Sequence, residues 1–382
     1  MVGLAYASCN PMRRMMFDNL GALISDYAPE NGPTTWFEIT AENKIILHSP
    51  KVEMGQGVFT ALAQLAAEEL EVEIDKIEVV HATTAGRPMD PRSTGGSDSV
   101  SSLWNPLREL GAKMRLMLLN NAAQIMGVSV TSLSISNGVI SGNGKSMTYG
   151  EVVQQATKWE EPKEVTLKKE KDFNIIGKAI PRIDLVPKVM GDPIFGIDVK
   201  LPGMLYGVVL RPPTIDTVFV SADSSKARSM PGVVQIVEEK DFVAVVAKSR
   251  PEAEMAARVV KANWKKNKNW DQADIEAKVK VGQGKEYLIQ KEGSAIESGE
   301  DVLEVEYSTP CGAHAQMEPS GSVAVVEDGK ATIYVSTQVP KYTRIEVAGV
   351  LGLQEEQVEV ITTYLGGGFG RRLHTPNSMQ AH

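Results

Sequence analysis

The chain has 382 residues, enough for two or three domains with cores of their own. Apolar residues make up 42% and charged residues 23%, and 40 basic against 48 acidic side chains leave a net charge of −8, which argues against general binding to a phosphate backbone. Two cysteines, Cys9 and Cys311, make no disulfide framework and fall short of the thiolate set of an iron–sulfur cluster.

No apolar run is long enough to span a bilayer. Residues 1–34 carry little pattern. Ala5-Tyr6-Ala7-Ser8-Cys9 is similar to the end of a secretory signal with a lipobox-like cysteine, and Arg13-Arg14 is a twin arginine followed by the acidic Asp18. This tail reads either as a signal remnant, which would place the protein in the periplasm or at the cell envelope, or as the frayed terminus of a cytoplasmic protein.

Strands are predicted over Trp36–Thr40 and Lys44–Ser49, then a helix from Val58. Val58, Leu62, Leu65 and Ala66 form its apolar face and Glu68, Glu69 and Glu71 its charged one. A strand at Ile77–His81 and a Gly-, Ser-, Thr- and Pro-rich loop over Thr83–Ser102 follow. A long helix then keeps Leu103, Leu107, Leu110, Met114, Met117, Leu118 and Ile125 on one face. A helix end, a short polar linker and a strand recur at Leu70–Val80, Met126–Ile135 and Leu351–Ile361, which suggests layered α+β domains.

Charge and proline rise over Glu160–Lys171, a linker, and Ile180–Pro187 reads as an extended arm. Strands are predicted at Met204–Leu210, Val233–Glu238, Phe242–Ala247 and Val259–Trp264, with one helix at Pro251–Ala257. Strands Ser322–Val326 and Ala331–Ser336, a helix around Tyr342–Leu351 and a strand Val358–Thr363 lead into Gly366-Gly367-Gly368-Phe369-Gly370-Arg371-Arg372. No folded element follows, so this last strand is expected to leave an open sheet edge.

Four features carry candidate chemistry. The Gly366–Arg372 run lets backbone N–H groups approach an anion, with Arg371 and Arg372 adding charge suited to phosphate; alone it is also a tight strand exit. Glu53-Met54-Gly55-Gln56-Gly57 places a Gly-x-Gly turn at a helix N-terminus, an anion site or a plain connection, with the Gln56 amide able to donate and accept. Thr94-Gly95-Gly96-Ser97 is a third donor set or a flexible loop, and His314–Pro319 holds Glu318 in extended backbone before a proline. If the three glycine loops serve one ligand, they must converge. Walker A spacing fails at Val139, no G-x-S-x-G elbow exists, and the five histidines lack zinc-ligand spacing. Lys261, Lys265, Lys266 and Lys268 with Trp264 and Trp270 read as a solvated strand end rather than a nucleic-acid patch.

In this order, together with Gly191–Asp198 and Met317-Glu318-Pro319, the motifs resemble the molybdopterin-binding subunit of the xanthine oxidase and aldehyde oxidase family, of the isoquinoline 1-oxidoreductase beta kind, over roughly residues 35–372. The resemblance implies an α+β fold: a tail over 1–34, a molybdopterin-binding piece over 35–159, a linker over 160–189, an α/β hammerhead domain over 190–308 and the start of a second molybdopterin-binding piece over 309–382. It also implies a molybdenum–molybdopterin cofactor, often the cytosine dinucleotide, and a reaction that hydroxylates an N-heterocycle or aldehyde with oxygen from water. The [2Fe–2S] cluster is expected on a separate small subunit. Carried over, Gly367, Gly368, Phe369 and Gly370 lie on the metal side, Gly55, Gln56, Gly57, Gly95, Gly96 and Ser97 contact the pterin and its phosphates, and Arg371 is cofactor-binding. The family's catalytic glutamate stands in a Gly-x-Gly-Glu-Pro setting that has no counterpart here. No catalytic residue and no protein ligand to the metal is therefore assigned, and the chain alone is expected to be inactive. The competing expectation is an interaction protein that keeps the fold without the cofactor.

Overall fold

The computed structural model describes residues 31–282, 284, 293, 303, 305–310, 312–375, 378 and 380–381; most of the signal-like tail and both cysteines lie outside them. Among the described residues two compact units result, one from 31–199 together with those from 312 on, the other from 200–310.

The larger unit opens with a helical turn, α1 (Pro33–Trp36), and β1 (Phe37–Ile39). The strand expected from Trp36 starts one residue late because Pro33 suits a first helical turn and Trp36 turns fully into the core. β2 (Ile45–Ser49) pairs antiparallel with β1 and parallel with β3 (Ile77–His81), and α2 (Val58–Leu70) makes the crossover. The charged face predicted for α2 is not on the surface: Glu68 and Glu69 are 1% and 0% exposed. The segment read as a linker covers them. Glu68 accepts the N–H groups of Asn174, Ile175 and Ile176 and the Lys168 ammonium, and Glu69 takes Arg108 and the N–H of Lys168. Periodicity cannot foresee this, since the carboxylates are buried only because their partners come from about 100 residues away.

α3 (Ser99–Met126) packs on α2, with Gly111 at the crossing, where a Cβ would stand 3.1 Å from the Glu69 Cβ. The predicted face holds except at Ile125, which is 36% exposed near the helix end. A meander of β4 (Ser134–Ser136), β5 (Val139–Gly142) and β6 (Lys145–Thr148) follows. Only the first, around Ile135, registers in the sequence, as the strand that ends the echo; the other two are too short and polar. Their signal is in the turns: Asn137-Gly138 and Asn143-Gly144 all take positive φ, as two-residue hairpins require. α4 (Tyr149–Gln155) begins in a capping box in which Thr148 accepts the Glu151 N–H and Glu151 returns a bond to the Thr148 N–H. Thr148→Ala is expected to lower stability by about 1 kcal/mol in urea denaturation; an unchanged midpoint would show that the cap contributes nothing. The arm predicted to stay extended turns helical at α5 (Leu185–Met190), because Pro187 falls in the first turn, where a backbone N–H has no helical partner to lose.

The smaller unit contains β7 (Tyr206–Val209), β8 (Thr217–Asp223), α6 (Ser225–Arg228), β9 (Val233–Glu238), β10 (Val243–Ala247), α7 (Arg250–Ala257), β11 (Lys261–Lys266) and α8 (Gln272–Val279). It forms a β7-β10-β9 sheet and a β8-β11 pair, all antiparallel, over a core of Ala227, Ile236, Val243, Val245, Ala256 and Val260. β8 and α8 escaped the sequence reading: β8 points Val218 and Val220 outward, and α8 buries no residue. Lys268 sits 4.1 Å over Trp270 and pairs with Asp274, while Trp270 donates to Asp216, so this basic stretch is a surface turn bound to its own carboxylates.

Back in the larger unit, β12 (Ser322–Glu327) pairs antiparallel with β13 (Lys330–Val335), which runs parallel to β14 (Val358–Thr362) after α9 (Pro340–Leu351). This repeats the β1-β2-α2-β3 order. α2 and α9 each stop at a left-handed residue, Glu71 (φ 55°) and Gly352 (φ 66°), then pass through a 3₁₀ turn into the parallel strand. The internal echo in the sequence therefore marks two copies of one ββαβ unit, and its third occurrence leads from α3 into the meander. The edge expected to stay open at β14 is covered at its middle residue, Val360. Thr84, from the loop after β3, donates its N–H to Val360 O at 3.2 Å and accepts the Val360 N–H on Oγ1 at 2.8 Å. Beyond the strand, Tyr364 and Leu365 donate to the carbonyls of Ile194 and Glu53.

Candidate functional site

The glycine run leaves β14 and is anchored from behind by one buried ion pair. Arg372 Nη2 lies 2.8 Å from Glu318 Oε2, and the two side chains are 2% and 5% exposed. The guanidinium also donates to Gly367 O, Ser336 O, Ser336 Oγ and Glu318 O. Glu318 in turn accepts the N–H of Gly366 at 2.9 Å, the N–H of Ile197 and the Ser336 hydroxyl. Burial pulls the Arg372 guanidinium below its ordinary range, against the opposing charge of Glu318. Arg372 is thus spent on the loop itself and is not the phosphate-facing charge its position suggested; Arg371 is exposed.

The close packing explains the residue choice. A Cβ on Gly366 would fall 2.3 Å from the Glu318 Cβ and 3.1 Å from its backbone nitrogen, and neither can yield. Gly366→Ala is expected to cost about 1–3 kcal/mol through forced overpacking, read by urea denaturation; wild-type stability would show that the loop shifts freely. Phe369 holds a left-handed φ of 53° and leaves its side chain 70% exposed, an arrangement a plain turn has no need of.

The Gly55–Gly57 turn differs from expectation. The anion at the N-terminus of α2 is the chain's own Glu53, which is 0% exposed: its Oε1 accepts the N–H groups of Gly55 and Gly57 at 2.9 and 3.1 Å. Gln56 is likewise turned onto its own loop, accepting from Met54 N–H and donating to Val52 O. Behind the turn, His81 Nε2 accepts the Glu53 N–H at 3.0 Å, and its ring packs between Phe59 and Tyr364, centroids 4.8 and 5.0 Å away. Burial first, and the charge of Lys188 second, push His81 down to about 3, so it is neutral. Burial and the nearby carboxylates push Tyr364 up to about 12.

The 90–98 loop is fastened by Lys51, 1% exposed, whose ammonium is 2.8 Å from Asp90 and 3.5 Å from Asp98. Thr94 Oγ1 accepts the Val52 N–H, and Thr94 exchanges backbone and side-chain bonds with Gln338. Gln338 also accepts the Gly370 N–H, so one buried amide joins the second and third loops. Met54 Sδ abuts Gly368, which closes the circuit to the first. All three loops predicted to converge therefore touch. Sequence reasoning missed Gln338, Lys51 and His81. The only local sign of Gln338 is its place just before Pro340 at a helix start.

What remains is a set of donors, of which those of Gly96, Ser97 and Phe369 belong to exposed residues and that of Gly368 to a buried one. The backbone N–H groups of Gly95, Gly96 and Ser97 and of Gly367, Gly368 and Phe369 meet no acceptor among the described residues. The described residues contain no group of three or more His, Cys, Asp or Glu side chains able to hold a metal ion. A depression lined by Glu73, Ile74, Asp75, Asn174, Ile175 and Ile180 lies at the other end of α2 and takes no part in this arrangement.

Two segments, residues 15–182 and 276–382, match family models described as the molybdopterin cofactor-binding domain. The first contains the Gly55–Gly57 and Gly95–Ser97 loops and the second contains Glu318, Gln338 and the glycine run. The chain belongs to the molybdopterin-binding subunits of the xanthine oxidase family. Relatives in this family include a nicotinate dehydrogenase subunit of Pseudomonas putida, 28% identical over 94% of this chain and 33% of its own length. The beta subunit of isoquinoline 1-oxidoreductase from Brevundimonas diminuta is 28% identical over 89% of this chain and 51% of its own. A protein of Gluconacetobacter polyoxogenes named membrane-bound aldehyde dehydrogenase [pyrroloquinoline-quinone] is 29% identical over 90% of this chain and 47% of its own. The chain thus spans a third to a half of the length of these relatives. Among the described residues no helix is long and apolar enough to cross a membrane.

Proposed function

We propose that this chain forms the molybdopterin-holding part of a hydroxylase that oxidises an N-heterocycle or an aldehyde, with water as the oxygen source. The observation that carries it is the pair of unpartnered N–H clusters, at Gly95–Ser97 and Gly367–Phe369, held together through Gln338. Such donors suit the phosphate and pterin acceptors of the cofactor, in its cytosine dinucleotide form. Gly370 and Arg371 flank the second cluster, and Gly55, Gln56 and Gly57 form the wall beside the first.

When bound, the molybdenum cofactor supplies the two-electron oxidation. The chain's own part is to bind and orient. Its glycines bring rigid backbone donors close, the Phe369 ring shields one side from water, and the Glu318–Arg372 pair keeps the run from moving. No catalytic base is assigned to these residues. Electrons are passed to a small [2Fe–2S] protein; the relatives from Pseudomonas putida and Brevundimonas diminuta are themselves named as subunits. The 200–310 unit is the hammerhead domain in this reading, and the signal-like residues 2–9 favour the cell envelope.

The test is metal and cofactor analysis of the protein purified with its natural partners. Molybdenum and oxidised pterin in equal molar amounts, with cytidine monophosphate on hydrolysis, are expected. A folded protein free of both, or one that instead stains as a redox-cycling quinone, would sink the proposal.

A further inference from the structure

We infer that Arg182, Asp184 and Lys188 form an ionic latch that fixes the Gly55–Gly57 turn from behind, which makes them positioning residues for the cofactor; this rests on the function proposed above. Nothing in that function uses these side chains, yet they converge on the turn from a segment more than 120 residues away.

Arg182 divides its donors between the turn and its support. Nη1 donates to Gly55 O at 2.9 Å and Nη2 to Glu53 Oε1 at 3.1 Å, while Nε and Nη2 grip the two oxygens of Asp184 at 2.9 and 2.8 Å. Lys188, one helical turn after Asp184, reaches the same Asp184 oxygen and lies 3.4 Å from Glu53 Oε1. Ile183 N–H pins the backbone to Thr60 Oγ1 at 3.1 Å. Burial would raise Asp184, but the two cations hold it down to about 2, so the cluster carries two negative and two positive charges.

The consequence falls on the turn. Every hydrogen bond that shapes it passes through Glu53 or Arg182, apart from those of Gln56: the N–H groups of Gly55 and Gly57 go to the Glu53 carboxylate and the carbonyl of Gly55 goes to the guanidinium. Glu53 is 0% exposed, and removing one partner of a buried ion pair is strongly destabilising, so its hold on the turn depends on these two cations. Without them the carboxylate is no longer held in place, and the N–H groups of Gly55 and Gly57 lose a fixed acceptor. The support lies wholly behind the turn, so Gly55 and Gln56 keep an exposed front. Lysine cannot replace Arg182, because an ammonium cannot serve Asp184 bidentately and still reach Gly55 O.

Amide hydrogen exchange of the purified protein, followed by mass spectrometry on peptides over 53–59 and over 110–118 in α3, tests this. Arg182→Gln is expected to speed exchange over 53–59 by about tenfold or more while α3 keeps its protection. Release of bound pterin below the unfolding temperature is expected to quicken in parallel, and Arg182→Lys should restore only part of either. Lys188→Met, which removes a side chain 24% exposed, carries the same test if Arg182→Gln fails to fold. Unchanged exchange over 53–59 in the folded variant overturns the latch, as does an equal rise over α3, which would make the cluster a general support of the fold. The exchange result stands whether or not the protein carries pterin, so a missing cofactor would refute the proposed function and leave the latch decided on its own.

Discussion

Replacing Arg372 with Met is expected to cost about 3–5 kcal/mol of unfolding free energy, the usual result of removing one partner of a buried ion pair. The loss comes less from the missing attraction than from what stays behind. Glu318 would be left without its cation in a site only 5% exposed, and the carbonyls of Gly367, Ser336 and Glu318 would lose their donor together. The variant Glu318→Gln/Arg372→Met should recover much of this, because the amide can still accept from Gly366 N–H without an uncompensated charge. Urea denaturation of the three proteins decides it. A loss under about 1 kcal/mol for Arg372→Met would mean that the pair does not anchor the glycine run.

Acid should destabilise the protein through His81 in a defined window. Its folded pKa is depressed to about 3 from 6.5, so the unfolded chain binds the proton first. Stability from this residue is therefore present above pH 6.5 and is lost as pH falls towards about 3. The slope approaches 1.4 kcal/mol per pH unit, or about 2 kcal/mol by pH 5. Protonation would also take away the acceptor of the Glu53 N–H and put a cation next to Lys188. His81→Gln keeps an acceptor but cannot titrate. The difference between wild type and this variant, measured by urea denaturation from pH 8 to pH 4, should grow with that slope; parallel profiles would show that His81 carries none of the acid sensitivity.

Much of the fold was legible because local chemistry and tertiary demand agree along the ββαβ units. Val58, Leu62, Leu65 and Ala66 have the spacing of a buried helix face and are buried as one, and the apolar strands at Ile77–His81 and Val358–Thr362 sit where their composition predicts. Of the meander only the first strand was visible, as the end of the echo, the others being short and polar, and β8 was hidden because half of it faces outward. The glycine loops were visible as loops, since three glycines in a row answer a steric need that no other residue meets. Their partners were not. Gln338 joins Thr94 to Gly370 across 244 and 32 residues, separations over which no local pattern exists.

By itself, then, the sequence determined which segments would be helix or strand wherever periodicity was strong, and it marked the backbone positions that only glycine can fill. Tertiary structure decided where the charges went. Glu68 and Glu69 read as a solvated face and Arg372 as a phosphate-facing charge, and all three are buried, as is Glu53. A charged side chain belongs in water unless distant partners arrive to replace it, and the identity of those partners is fixed by the fold rather than by neighbours along the chain. For this protein that means the anion at the start of α2 is an internal carboxylate, the second arginine of the glycine run is its anchor, and the backbone N–H groups of Gly95–Ser97 and Gly367–Phe369 are left without an acceptor among the described residues.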